Sequence, residues 1–502
     1  MPAQKFCTDR RSFLAAAVAA ASAGMVSAPS LSAADVVPVA DGLMRVRIEI
    51  DVKGNVKVSD NALASRKAQQ TFPVTSKAVL DYEERSLRPG NADIKSETVA
   101  AERYYHTASS TGVLNKSEIA QSLRPDMRHA LVRRESLPET IYSPDNFFTH
   151  SELSLLRSPV SSVSVNRLLP GAPVTAGDRY EIASDVLCSV LNLSSVDSGK
   201  VDSHVVEVTD DAVRFKLEGD LEGSVDGVGT RLRLIGKMTF DRRINTCTWL
   251  ALGVHETREI GKAEPGFDVS ATIRMVRQPL ASPVAMPAKP HAVAFGNPIP
   301  PEHLYVELQS RQHRVGTMMD RRWRMIQETP AAAVMRMIEN DQSIAQCNLR
   351  PLVTLPEGKQ WTLEAFEADV RQTLGDQLGQ LIEGDQGVSA QGLRVLRIVA
   401  DGETQGIPIR WIMMHFSDDA GRRVQATFTM SGDKVETFAG NDAQFGDSLR
   451  FLEREDLPAE PSPQSEPLAG QVESSLQIAN RPSDEPDSVA LPGDPPRVSD
   501  LN

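Results

Sequence analysis

Four carboxylates crowd one short stretch of this chain: Glu218, Asp220, Glu222 and Asp226, the last followed by Gly227. Carboxylates close to a glycine turn are the donor type that calcium takes. The D-x-D-x-D-G order of a calcium loop is missing, and Arg231 and Arg233 follow closely enough to neutralise two of the acids. The set therefore reads as a solvated hairpin. His255-Glu256-Thr257-Arg258-Glu259 comes within one residue of the zinc motif H-E-x-x-H, but Glu259 stands where the second His would be. The stretch also alternates like a strand, so a strand-end histidine is expected. The other histidines form no H-x-H and no H-x₃-H pair. Asp226-Gly227-Val228-Gly229 is glycine-rich, yet it joins two antiparallel strands, which makes it a turn and not a phosphate loop. A G-x-S-x-G elbow, a Walker loop and a dinucleotide G-x-G-x-x-G are all missing from the sequence. Cys347 has no His on its own strand and reads as a buried thiol, not a nucleophile. Trp323 and Trp411 read as core residues in preference to ligand-stacking ones. No catalytic, cofactor-binding or metal residue is assigned, and no cofactor is expected.

These residues ride on a regular scaffold. From His204 to Arg277 the chain reads as one antiparallel meander. Val213, Phe215, Leu217 and Leu221 alternate with charged residues, and beyond the turn so do Leu232, Leu234, Met238 and Phe240. Period-two alternation predicts one buried and one wet face. A turn centred near Asp226 sets Glu222 opposite Arg231 and Asp220 opposite Arg233. It also sets Leu221 beside Leu232 and Phe215 beside Met238, and a one-residue slip would destroy both faces. A third strand, Thr246–Glu256, carries Cys247, Trp249 and Ala251 on one face and Leu250, Leu252 and Val254 on the other. Apolar residues on both faces predict either a central strand or one covered by another layer. In the fourth strand Phe267, Val269, Ala271, Ile273 and Met275 share a face.

Upstream, Met44 to Val52 alternates as a strand, Gly54-Asn55 is expected to turn it, and Phe72 to Tyr82 forms the next. That strand should end at Glu83-Glu84-Arg85. The pattern weakens from Asn91 to Ser122, with Ala100–His106 either helical or strand-like, and Ala130–Arg134 forms another strand. Thr149 and Glu152 have capping-box spacing before Leu153, Leu155 and Leu156, which predicts a short helix. Ile182–Leu193 also reads as helical. Leu169-Pro170-Gly171-Ala172-Pro173-Val174-Thr175-Ala176-Gly177-Asp178-Arg179-Tyr180 resembles a segment that recurs in uncharacterised secreted bacterial β-rich proteins. That resemblance implies a fold and not a chemistry. Residues 42–277 are thus expected to form a curved, half-barrel-like antiparallel sheet with covering helices.

Residues 278–301 hold seven prolines and read as a linker, since proline removes donors and fixes φ. A second unit, 302–455, follows. Its expected strands begin with Leu304, Val306 and Leu308, then a hairpin from Trp323 to Ile338, then Ile344–Val353. Thr362 should cap a helix whose stripe is Leu363, Phe366, Val370, Leu374, Leu378 and Leu381. Leu393–Val399, Ile407–His415 and Val424–Met430 read as strands, turned at Asp401-Gly402 and Asp418–Gly421. A short helix from Asn441 leads into Ser448-Leu449-Arg450-Phe451. This order, with its closing helix before an S-x-x-F stretch, resembles the PsbP-like α/β/α sandwich. That resemblance implies binding and assembly rather than catalysis. Residues 456–502 are acidic, rich in proline and without an aromatic residue, so disorder is expected. The fold class is α+β.

Length and charge bound the rest. At 502 residues the chain exceeds one ordinary core, so two domains plus tails are expected. Net charge is −13, and about −15 beyond residue 33, which argues against nucleic acid and anionic membrane as partners. Arg10-Arg11-Ser12-Phe13-Leu14 precedes an apolar run, Leu14 to Val26, too short to span a bilayer. It resembles a twin-arginine export signal. Residues 1–33 are thus expected to be a signal peptide, cut after Ala33 or Ala34, with no transmembrane segment remaining. The four cysteines, Cys7, Cys188, Cys247 and Cys347, are too widely spaced for a disulfide scaffold or a CxxC site, though a Cys188–Cys247 bridge stays open. The expectation is an exported, non-enzymatic binding or assembly protein of the periplasm or envelope. Its partner would be an unknown protein or a small apolar ligand. One alternative is a carrier with an apolar cavity lined by Phe215, Leu232, Leu234 and Met238. The other is an exported hydrolase whose site is assembled from distant segments.

Overall fold

The computed structural model describes residues 33–38, 42–59, 69–88, 100–134, 137–356 and 358–453. The expected signal peptide and acidic tail lie outside these residues, apart from Ala33. Antiparallel sheet dominates. The first unit holds β1 (Leu43–Ser59), β2 (Gln69–Leu87), β3 (Ala100–Leu114), β4 (Ser117–Ser122), β5 (His129–Arg133) and β6 (Thr140–Tyr142). After α1 (His150–Leu156) come β7 (Arg179–Ile182), α2 (Ser184–Leu191), β8 (Ser195–Val208), β9 (Ala212–Val225), β10 (Val228–Asp241), β11 (Thr246–Arg258) and β12 (Gly266–Pro279). They form one open sheet of order β6-β5-β3-β2-β1-β12-β11-β10-β9-β8-β7, with β4 on β3. Tyr82, Tyr105 and Ala130 from one end of this sheet share a core with Val213, Phe215 and Leu217 from the other. A sheet this wide brings both ends to one core only by curving. Leu155, Leu156, Leu187 and Val190 of the two helices fill the same core.

The β9–β10 register is the one the alternation demands, with Glu222 opposite Arg231, Asp220 opposite Arg233, Leu221 opposite Leu232 and Phe215 opposite Met238. Asp226 and Gly227 both take positive φ, +50° and +84°, as a two-residue hairpin turn requires. Thr149 accepts from the Glu152 N–H and Glu152 accepts from the Thr149 N–H, so the capping box starts α1 as expected.

Several expectations are corrected. Gly54 does not turn the chain: it pairs with Val74 on one side and Val269 on the other, and β1 runs through it. A Cβ there would lie 2.3 Å from the Asp268 carbonyl oxygen, so close backbone approach explains the glycine. The weakly patterned 91–122 region contains two strands, β3 and β4, and Ala100–His106 is strand. Cys247 shares the buried face with Leu250 and Leu252, because a bulge at Thr248 inverts the alternation. Of the two alternatives the central one holds, since the strand lies between β10 and β12.

The second unit contains β13 (Tyr305–Ser310), β14 (Val315–Asp320), β15 (Trp323–Glu328), β16 (Ala333–Glu339), β17 (Gln342–Leu352), α3 (Leu363–Leu374), β18 (Leu378–Val388), β19 (Arg394–Thr404), β20 (Ile407–Ser417) and β21 (Arg423–Ser431). It closes with α4 (Val435–Phe438), α5 (Asn441–Ser448) and β22 (Arg450–Phe451). Seven strands make a sheet of order β15-β16-β17-β21-β20-β19-β18, and β13, β14 and β22 make a separate small sheet. Phe366, Val370 and Leu374 of α3 pack on Leu396, Ile398, Ala400, Trp411 and Met413. Phe438 and Phe445 of α4 and α5 pack with Phe416 and Phe428 in a separate core.

Here too the sequence reading needs correction. Leu378 and Leu381 do not continue the α3 helix; they belong to β18, although they pack on the same cluster. The helix stops at Gly375, whose N–H bonds the Arg371 carbonyl. Asp401 and Gly402 lie inside β19, and the turn falls at Gln405-Gly406, both with positive φ. β14 leaves no clear sequence pattern: Val315 to Asp320 is short, and its outer neighbour β22 is only two residues long.

The proline-rich stretch has neither helix nor strand from 280 to 300, yet it is not a free tether. Val293, Phe295 and Ile299 pack on Leu87, Ala100, Leu131 and Tyr142. It lies as a strap over the outer face of β2, β3 and β5.

Candidate functional site

Two polar constellations stand out, one closed and one open. The closed one sits where β2 and β3 run side by side. Alternation sends Tyr82 and Glu84 to the core face and Asp81, Glu83 and Arg85 to the outer face. On β3 it sends Arg103 and Tyr105 inward and Glu102 outward. The register sets Glu84 against Arg103, and Arg85 against Glu102.

On the core face Arg103 donates to Glu84 at 2.8 Å, Glu139 at 3.4 Å and the Ser162 hydroxyl at 3.1 Å. Ser162 in turn donates to Glu84 at 2.6 Å, and Ser161 donates to Glu139 at 2.6 Å. The Tyr82 hydroxyl lies 2.8 Å from Ser162, and the Arg103 guanidinium sits over the Tyr82 ring. The Arg103, Glu84 and Glu139 side chains are only 2–5% exposed. Burial acts to lower the Arg103 pKa, but the surrounding acidic oxygens outweigh it, so the guanidinium stays charged. Burial drives the Tyr82 phenol well above its ordinary range, so it is a neutral partner.

On the outer face Glu83 accepts three consecutive strap amides, Val284 at 2.9 Å, Ala285 at 2.8 Å and Met286 at 3.3 Å. His106 lies 2.6 Å from the same carboxylate. Glu102 accepts from the His291 amide at 3.2 Å and from Arg85 at 3.1 Å, and faces His129 at 2.9 Å. Burial would raise both glutamates, but the hydrogen bonds prevail and hold both below the usual carboxylate range. His129 is raised, chiefly by its bond to Glu102. These groups anchor the strap.

The open constellation is a cleft of about 460 Å³ at one end of the seven-stranded sheet, lined by Gln360, Gln386, Val388, Arg394, Ser417 and Asp419 among others. Arg394, Ser417 and Arg423 stand in one row across β19, β20 and β21. Behind Ser417 lies His415, 1% exposed, with Trp361 stacked on it at 5.1 Å and the Arg423 guanidinium over the Trp361 ring. Burial, with Arg423 and Arg394 adding, lowers the His415 pKa to about 4, so this imidazole is neutral at pH 7.

The residues singled out from sequence are placed as follows. Asp220 bonds Arg233 at 2.6 Å, Glu222 bonds Arg231 at 3.0 Å, and Asp226 bonds Arg157 at 2.6 Å. Glu218 lies 3.9 Å from Lys216. These are surface pairs, and the acids converge on no common point. His255 and Glu256 lie on β11, with His255 facing Ser270 and Asp268. Cys347 is fully buried and burial raises its thiol pKa strongly. Cys188 and Cys247 are not joined, so the open question of a bridge is answered: no disulfide forms between them. Trp323 packs on Phe428 and Phe438 and donates to Asn441; Trp411 packs under α3. Phe215, Leu232, Leu234 and Met238 are buried in the continuous first core. Among the described residues no three His, Cys, Asp or Glu are placed to hold a metal, and no helix is long and apolar enough to cross a membrane.

Sequence reading missed both constellations. The signal for the first was present: Glu83-Glu84 on one strand and Glu102-Arg103 on another put charge on both faces at once. The cleft left no motif, since its polar residues come from four separate segments.

No protein-family model matches this sequence, and no curated protein matches it. Among solved structures there is weak similarity to small domains over about 30% of the chain. Cyanobacterial PsbP from Synechocystis aligns over 32% of this chain and 98% of its own, at 11% identity and a TM-score of 0.25. A Bacteroides thetaiotaomicron protein aligns over 30% of this chain and 49% of its own, at 7% identity and 0.22. The outer membrane protein OprD from Pseudomonas aeruginosa aligns over 80% of this chain and 96% of its own, at 7% identity and 0.11. Likeness at this level carries no statement about activity.

Proposed function

We propose that this chain is an exported, non-catalytic binding or assembly protein of the cell envelope. Its body is a half-barrel-like unit over residues 42–277 and an α/β sandwich over 302–455, joined by the strap. The observation that carries the reading is how the ionisable groups are used. The densest buried set, Arg103 with Glu84 and Glu139, is satisfied internally and sealed from solvent. Catalysis needs an acid, base or nucleophile within reach of a substrate. His415, with its low pKa, lies covered by Trp361 and is not within that reach. The cleft sets Arg394 with the Gln360 and Gln386 amides beside one exposed acid, Asp419, which suits holding a ligand more than transforming one.

Export rests on Arg10 and Arg11 ahead of their short apolar run. Ala34 itself belongs to the fold, since its amide and carbonyl both bond Val174, at 2.8 Å each. Full-length protein in an envelope fraction should be processed at its N-terminus to begin at Ala34 or Asp35. Replacing Arg10 and Arg11 with Lys should leave it in the cytoplasm, and native mass spectrometry of the exported form should show a retained partner or ligand. Unchanged export of the Lys variant, or turnover of an ester, peptide or glycoside substrate, would sink the reading.

A further inference from the structure

The cleft on the second sheet is lined by Arg394, with Arg423 in the same strand row, and no carboxylate answers either among the described residues. Arg394 donates to the Gln360 amide oxygen at 2.9 Å and the Gln386 amide oxygen at 3.3 Å. Arg423 donates twice to the Val353 carbonyl, at 2.9 and 2.6 Å, and its remaining Nη1 is buried without a partner. Among the described residues neither guanidinium pairs with a carboxylate. Neighbouring arginines differ: Arg422 pairs with Asp418 and Glu453, Arg450 with Glu307, and Arg397 with Asp442 and Glu383. In a chain of net charge −13 acids are plentiful, so leaving these two uncompensated is a local arrangement.

Amide oxygens aim the Arg394 fork without neutralising it. A guanidinium presents five donors matched to oxyanions, and only two hydrogen bonds engage Arg394 here. Ser417 stands between the two arginines in the row, lines the cleft, is 2% exposed, and its hydroxyl has no partner. A buried hydroxyl left without a hydrogen bond is destabilising, and a bound acceptor would recover that loss. His415, one row back, is neutral and adds no competing charge. Asp419 also lines the cleft but pairs with neither arginine. Val388, 74% exposed, offers an apolar wall beside this polar end.

We propose that this cleft binds a small organic anion, its carboxylate or phosphate held by Arg394 and Ser417 and its apolar body laid against Val388. Arg423 sits beside Ser417 and raises the local positive potential. The cleft volume is that of a small-molecule site. This proposal rests on the binding-protein reading and supplies its ligand class.

The test uses the purified full-length chain with two probes, inorganic phosphate and octanoate. Binding is followed by tryptophan fluorescence, which Trp361 should report, and by the shift in melting temperature. Octanoate should bind saturably. Arg394→Gln should weaken it about tenfold or more, the loss of a charge-assisted contact. Ser417→Ala should also weaken it while leaving the melting temperature of the free protein unchanged or higher, which a merely structural hydroxyl would not do. Arg422→Gln should bind as wild type does. Octanoate tighter than phosphate by about tenfold, with the difference erased in Val388→Ser, assigns an organic acid; equal affinities overturn the apolar half of the proposal. No saturable binding of either probe up to about 10 mM, or wild-type affinity in Arg394→Gln, overturns it entirely. If the probes fail while the exported chain retains another partner, the cleft is wrong and the binding-protein reading stands. If a probe binds and is chemically altered, the cleft stands and the non-catalytic reading falls.

Discussion

At the scale of single residues, exposure decides worth. The Asp220–Arg233 pair is well formed at 2.6 Å, yet both side chains are more than 60% exposed, and such pairs add little and fade in salt. Phe215 on the opposite face is 1% exposed, so Phe215→Ala should cost about 3–5 kcal/mol in denaturant unfolding and lower the melting temperature far more than Asp220→Ala. Reversing both charges should restore whatever the single change loses. Arg103 is the contrary case. Arg103→Met leaves Glu84 and Glu139 buried without their cation and should cost about 3–5 kcal/mol. Replacing all three with apolar residues of similar volume should recover most of that loss, because a buried ion pair adds little net stability over a packed apolar set. If the triple variant is as unstable as the single one, the network does more than satisfy itself.

Elements show where local pattern is enough and where it fails. The α3 stripe was legible through Leu374, with Thr362 accepting the Ala365 amide as its cap. Phe366 is fully buried, and Phe366→Ala should cost about 3–5 kcal/mol, while a loss under about 1 would place the stripe elsewhere. The stripe misled beyond Leu374, since apolar spacing continued into β18 after the helix had stopped. The strap is the element whose docking pattern alone left undecided. Proline content excluded helix and central strand, but not a docked extended segment. A fragment covering residues 34–300 should melt higher than one ending at Arg277. Its anchors also set a pH window. Glu83 and Glu102 have lowered pKa values in the fold, so their stabilisation is present above the unfolded value of about 4.3 and is lost as pH falls through the folded ones. His129 is raised, so its share is present below the unfolded value of about 6.5 and is lost as pH rises through the folded one. Strap protection from hydrogen exchange should therefore peak between those limits. Glu83→Gln and His129→Gln should flatten the acid and neutral sides respectively; protection independent of pH in both would refute the anchoring.

At the scale of the molecule, the two β-units meet through Arg124. It donates to Glu152 at 2.8 Å and the Phe147 carbonyl at 2.8 Å in the first unit, and to Glu307 at 2.9 Å in the second. The Glu307 amide also bonds the Phe148 carbonyl, and Arg321 donates to the Ile141 carbonyl. Arg124→Gln should split calorimetric unfolding into two transitions if this junction couples the units; one unchanged transition would show the coupling lies elsewhere. The sequence by itself determined what depends on neighbours along the chain: the β9–β10 pairing, the capped starts of α1 and α3, and the hairpin at Asp226-Gly227. Period, capping and turn chemistry act over a few residues, so they can be read locally. Tertiary structure alone decided the rest. Which charges are buried, where the strap lies, and that Arg394, Ser417 and Arg423 form one row depend on pairings between strands distant in the chain. Such pairings follow from burial summed over the whole sheet, and no single stretch of sequence contains that sum.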